Sequence, residues 1–265
     1  MTMEAIGVFD SGIGGLTVVK ELVNLMPHEN IIYFGDTARV PYGTKSADTI
    51  LRYSIENSIF LLKHKVKCII VACNTASAYA LTHLQHVFKV PVIGVISPGA
   101  TAALQASHNK KIAVIGTKAT MQSNAYQQEL LRQNPEAEIS TYACPLFVPL
   151  VEEGLFHHDA TLLLIREYLN PILNSSIDTL LLGCTHYPLL EDQIKKVVGP
   201  HITLVNSAKA CAQSVLKTLE REKLCKTATQ PGISRFFVSD DPSKFESMAT
   251  HFFGEALSHI DIATP

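Results

Sequence analysis

Two periods alternate along this chain. Short uncharged runs rich in β-branched residues exchange with segments whose apolar side chains recur every three or four positions. Residues 6–9 read as a first strand, and Leu16, Val19, Leu22, Val23 and Met26 then mark one helical face that Pro27 ends. Strands at 31–34, 68–71 and 92–96 follow, with helices from Ser46 and after Asn74 between them. Ser97-Pro98-Gly99 reads as a boundary, after which the alternation restarts. A helix, a strand at 112–115 and one helix over 121–133 precede an irregular stretch at 144–154 that carries two prolines. Then come a helix over 160–173, a strand ending at Gly183, a short helix after Pro188 and a strand at 202–205. A long helix from Ser207, a strand at 236–238 and a helix over 245–253 complete the pattern. Strands alternating with helices throughout define an α/β protein with parallel sheets.

Two places in this pattern carry chemistry. The run from Cys68 to Ala72 delivers Cys73 straight into Asn74-Thr75-Ala76-Ser77, of which Asn74, Thr75 and Ser77 are residues that cap helices. Leu180-Leu181-Leu182-Gly183 delivers Cys184 into Thr185-His186-Tyr187-Pro188 in the same way. Open parallel sheets bind ligands beyond the carboxyl ends of their strands, and helix N-termini offer free N–H groups. A thiol there is expected to be drawn toward thiolate. Two β/α runs, each with one strand-end cysteine, predict two similar lobes facing each other across a cleft.

Composition narrows the partners. Hydrophobic residues make up 47% of the 265, enough for a sizeable core. The formal net charge is -2 with no basic stripe, which disfavours nucleic acid. No apolar run reaches the roughly 20 residues that span a bilayer, and the start lacks a secretory pattern, so a cytoplasmic protein is expected. The six cysteines show no C-x-x-C spacing, so neither a metal site nor a redox dithiol is expected.

Each remaining candidate has a plainer reading beside it. Asp10-Ser11-Gly12-Ile13-Gly14-Gly15 is a strand-to-helix turn without the dinucleotide or Walker spacing. A carboxylate there repels phosphate and suits an ammonium group, which favours a small zwitterionic ligand over a bare turn. Asp36 and Pro41-Tyr42-Gly43 follow the second strand, either as a simple loop or as part of the ligand side. Cys73 and Cys184 are packing residues, or one is a nucleophile with His186 as its base, or the two face each other across a carbon acid. In the last case one sulfur takes a proton while the other gives one, a role suited to a thiol of pKa about 8.5. His186 is then the group that sets the protonation of its neighbour, and Glu152 or Glu153 is a surface acid.

Taken together, 10–18, 35–43, 72–77 and 183–189 resemble glutamate racemase, in the aspartate/glutamate racemase family. The resemblance implies two flavodoxin-like domains, over 1–97 plus 209–265 and over 98–208. It implies a cofactor-independent isomerase that interconverts L- and D-glutamate, supplying D-glutamate for peptidoglycan, cell-wall biogenesis and cell shape. Cys73 and Cys184 would be the paired acid/base thiols, assisted by Asp10 and His186 on their respective sides. Asp10, Ser11, Tyr42, Gly43, Asn74, Thr75, Thr185 and His186 would hold the substrate, with Asp36 and Glu152 as further positions near the site. Glutamate is the implied small-molecule partner; a homodimer stays open, because oligomeric state varies in the family. The chain begins just ahead of its first motif, which argues against activation by a cell-wall precursor. Three alternatives remain: a racemase or isomerase of the same architecture acting on aspartate, a hydantoin or maleate, a non-catalytic binder of a small anion, and a thiol-dependent hydrolase or redox protein.

Overall fold

Uniformly apolar strands need cover on both faces, and the fold supplies it. The computed structural model describes residues 4–173, 175–253, 257 and 260–265. Strands β1 (Ile6–Asp10), β2 (Ile31–Gly35), β3 (Cys68–Val71) and β4 (Val92–Gly94) come first, each wholly buried. Strands β5 (Lys111–Gly116), β6 (Glu138–Ala143), β7 (Thr179–Gly183) and β8 (Thr203–Asn206) form a second group. Finally β9 (Ser234–Val238) and β10 (Ile260–Ile262) return to the first.

The strand order is β10-β9-β2-β1-β3-β4 in one sheet and β6-β5-β7-β8 in the other. Every pairing is parallel. This is the two-lobed parallel α/β architecture read from the alternation. Each lobe places its first strand between its second and third, so β1 meets β3 and β5 meets β7 where the winding reverses. Crevices open at that point, beyond the carboxyl ends.

Apolar packing joins the lobes. Val8 and Leu16 belong to the same buried cluster as Ile115, Leu182 and Cys211. The returning segment is pinned below the first sheet: Gly232 N–H donates to the Pro27 carbonyl at 2.8 Å and Ile233 N–H to Asn30 Oδ1 at 3.0 Å. Beside it Lys67 Nζ meets Glu29 Oε2 at 2.6 Å and donates to the Leu224 carbonyl at 2.6 Å, with both charged side chains buried. Removing one partner of such a pair costs about 3–5 kcal/mol, because the other charge is left buried and alone.

Several local expectations are corrected. The strand expected over 92–96 stops at Gly94, and Ser97-Pro98-Gly99 lies in the first turn of the helix Ile96–Ala106, where proline is tolerated. The helix expected over 121–133 is two, Lys118–Gln122 and Ala125–Gln133, split at Asn124, whose φ of 55° is left-handed. The irregular stretch holds a short helix, Phe147–Glu152. Strands β6 and β10 were not anticipated; both are edge strands with no fully buried residue.

Candidate active site

Asp10 ends β1 and is fully buried. Its Oδ2 accepts from Gly12 N–H at 3.1 Å, and its Oδ1 accepts from Thr185 Oγ1 of the other lobe at 3.3 Å. The glycine turn that follows is held by Tyr33, whose hydroxyl donates to the Gly12 carbonyl at 2.6 Å. Glycine is required at Gly14, where a Cβ would collide with Thr185 Oγ1 and His186 Nδ1.

Two residues past β3, Cys73 caps the helix Asn74–Val87, its Sγ accepting from Ala76 N–H at 3.4 Å. Ser11 Oγ lies 3.6 Å from the same sulfur. Helix N-terminus notwithstanding, the thiol is pushed up to about 12, first by burial and then by Asp10, against weaker help from Ala76 N–H and Ser11. The expected drift toward thiolate is therefore reversed: desolvation of a fully enclosed sulfur outweighs a helix end.

Past β7, Cys184 Sγ stands 3.9 Å from His186 Nδ1, and His186 Nε2 stands 2.8 Å from Glu152 Oε1. Lys244 Nζ is 3.8 Å from the other Glu152 oxygen. Burial alone would lower the His186 pKa, but Cys184 and Glu152 outweigh it and hold the imidazole well above its usual range. Burial pushes Glu152 up, yet the bond to His186 and the charge of Lys244 leave it below the usual carboxylate range. Asp10 is raised by burial despite His186 and the Gly15 and Gly12 N–H groups.

The first lobe contributes Ser11, Tyr42, Gly43, Cys73, Asn74 and Thr75 to the wall of one cavity of about 20 Å³. From the second lobe come Thr117, Val148, Cys184, Thr185 and His186. Both cysteines thus face a single space with room for about one water. Asp10 and Glu152 stand one side chain back. Asp36 lies apart: it accepts from the Tyr42 hydroxyl, from Arg39 Nε at 2.7 Å and from Ser239 Oγ at 3.1 Å. Its place is behind Tyr42, holding that ring in the wall.

Thr117, Thr120 and Tyr126 were missed. Thr75 Oγ1 lies 2.9 Å from Thr117 Oγ1 and 2.9 Å from Thr120 Oγ1, and those two lie 2.9 Å from each other. The available signal was positional, because Gly116-Thr117 follows the first strand of the second lobe as Asp10-Ser11 does in the first. Among the described residues no group of three or more His, Cys, Asp or Glu is placed to hold a metal ion. No helix among them is long and apolar enough to cross a membrane.

Fold and site together define a two-lobed parallel α/β protein that closes a thiol from each lobe on one small chamber. The chain belongs to the Asp/Glu/Hydantoin racemase family, whose pattern matches residues 6–215. It is 47% identical over 260 residues to the glutamate racemase of Geobacter metallireducens, covering 98% of this chain and 96% of that one. A crystal structure of a glutamate racemase from Bacillus anthracis superposes with a TM-score of 0.96 at 38% identity, covering 100% of this chain and 98% of that one. The Francisella tularensis glutamate racemase in complex with D-glutamate gives 0.92 at 40% identity, with coverage of 100% and 98%.

Proposed function

We propose that the chain interconverts L- and D-glutamate through its two thiols. One sulfur, as thiolate, takes the α-proton from one face of the amino acid. The other, as thiol, delivers its own proton to the opposite face of the resulting carbanion. One C–H bond breaks and one forms, so the reaction needs no electron acceptor and leaves each sulfur in the partner's starting state. The observation that carries this reading is the convergence of Cys73 and Cys184, 111 positions apart (184 − 73), on one cavity.

The surrounding groups fit the chemistry. An α-proton of an amino acid is very weakly acidic, so the site must stabilise a carbanionic transition state. The N–H groups at the start of the helix Asn74–Val87, with Ser11, Asn74, Thr75 and Thr185, would hold carboxylate oxygens. Asp10, one side chain back, would attract the ammonium group through its charge and through the Thr185 hydroxyl it holds. The His186 cation would balance negative charge on Cys184 whenever that sulfur has given up its proton. Asp36 would act only through Tyr42. A chamber of about 20 Å³ cannot admit an amino acid until its walls part. The parts that separate would be 1–97 with 209–265, and 98–208; these boundaries fall in the first turns of the helices Ile96–Ala106 and Ser207–Arg221. Acting in the cytoplasm, such an enzyme would supply D-glutamate for peptidoglycan.

Incubation of L-glutamate in heavy water tests the reading. Wild type should place deuterium at Cα and drive the circular dichroism of the solution to zero. Cys73→Ser and Cys184→Ser should each abolish racemisation and keep exchange for opposite enantiomers. No α-exchange with wild type would overturn the proposal, and exchange with aspartate instead would move it to that substrate.

A further inference from the structure

Asn74 is buried, and it is the one residue among those described with a buried side-chain nitrogen or oxygen that has no hydrogen-bond partner: its Nδ2. The other end of the same amide is fully engaged. Tyr126, on the helix Ala125–Gln133 of the second lobe, donates its hydroxyl to Asn74 Oδ1 at 2.6 Å. Tyr126 is itself buried and does not line the cavity, whereas Asn74 does. A buried N–H group without a partner is costly, and folded proteins rarely keep one without a use.

We infer that Tyr126 is a positioning residue for substrate binding: it fixes the Asn74 amide with its NH₂ toward the cavity, as a donor for a substrate carboxylate oxygen. This deepens the reading of the site as a glutamate racemase and rests on it. An amide side chain is nearly symmetric in shape, so packing alone does not choose between its two orientations. The phenol hydroxyl makes the choice by occupying the oxygen. In the opposite orientation Oδ1 would face the carboxylate, and two acceptors would be apposed in a water-poor chamber. The bond also crosses from one lobe to the other, over 52 positions of sequence, so the amide is set only when the lobes are together. The phenol also packs close to Gly99, where an added Cβ would come within 3.3 Å of its oxygen.

The test is a double-mutant cycle on racemisation of L- and D-glutamate, with thermal melting recorded for every variant. Tyr126→Phe should raise KM for both enantiomers about tenfold while kcat changes less than about threefold, because an unpaired donor is lost from binding rather than from proton transfer. In an Asn74→Ala background the same substitution should leave KM unchanged. Asn74→Asp offers a second measurement that does not depend on the stability of Tyr126→Phe. It keeps the acceptor for Tyr126 but puts a carboxylate oxygen where the NH₂ stood, and should raise KM beyond Asn74→Ala. An equal KM effect of Tyr126→Phe in both backgrounds, no effect in either, or Asn74→Asp no worse than Asn74→Ala would each overturn the inference. Those outcomes with an active wild type leave the racemase reading standing. A wild type that fails to exchange the α-proton removes that reading and the inference with it.

Discussion

The two sides of the chamber are built from the same grammar and end up unlike. Each sulfur follows a buried parallel strand and precedes a helical turn. Around Cys73 the direct contacts are neutral, Ser11 Oγ at 3.6 Å and Ala76 N–H at 3.4 Å, and the thiol is held toward its protonated form first by burial and then by the Asp10 carboxylate behind Ser11 and Gly12. Around Cys184 a charged relay runs outward through His186 and Glu152 to Lys244, which is half-exposed. One side therefore keeps its proton by desolvation, and the other manages charge through ionised partners. Strand-end geometry positions a thiol; what stands behind it decides how that thiol behaves.

The largest effect should come from deleting either sulfur. Cys73→Ala and Cys184→Ala should each lower kcat for racemisation by at least about a thousandfold. A coupled assay for D-glutamate would show it, and activity kept by Cys73→Ala would break the pairing. Crowding only one side should come next. Gly14→Ala forces a methyl group against Thr185 and His186, and misplacement on this scale lowers kcat/KM about a hundredfold. Because racemisation has an equilibrium constant of one, kcat/KM must fall equally in both directions. The asymmetry should appear instead as slower α-deuterium exchange from one enantiomer than from the other.

The smallest effect is on stability. Glu152 is held below its reference value of 4.5, so its contribution is present above that pH and is lost as pH falls through its lowered folded value. His186 is held above its reference value of 6.5, so its contribution is complete below that pH and is lost as pH rises through its raised folded value. The melting gap between wild type and Glu152→Gln should thus be widest between those two reference values. It should correspond to about 1–3 kcal/mol and close toward both acid and alkali. A gap that is flat with pH would mean the two groups do not share charge.

The frame of this fold was legible because buried parallel strands announce themselves by uninterrupted β-branched runs, as in Cys68–Val71. Edge strand β6, with Glu138, Ser140 and Thr141, lacks that signature, since none of its residues is fully buried and no apolar run is demanded there. Asn124 broke an expected helix because asparagine adopts the left-handed region more readily than most residues. The cysteines and the residues next to them were readable from their place at strand ends. For Asp36 the strand-end rule leaves a plain loop and the ligand side both open; the residue stands behind Tyr42, since a loop can turn its carboxylate back toward its own arginine. Tyr126 and Thr120 were not readable, because their partners Asn74 and Thr75 lie across the cleft and no local pattern encodes a contact between lobes.

A chamber sized for about one water has a stereochemical consequence. If an amino acid took the place of that water and the walls closed on it, bulk solvent would have no lane to the reacting carbon. A carbanion formed there would be quenched only from the walls, so handedness would be chosen by protein atoms and not by chance encounter. Isotope from the medium would then reach product by way of sulfur and not directly from water.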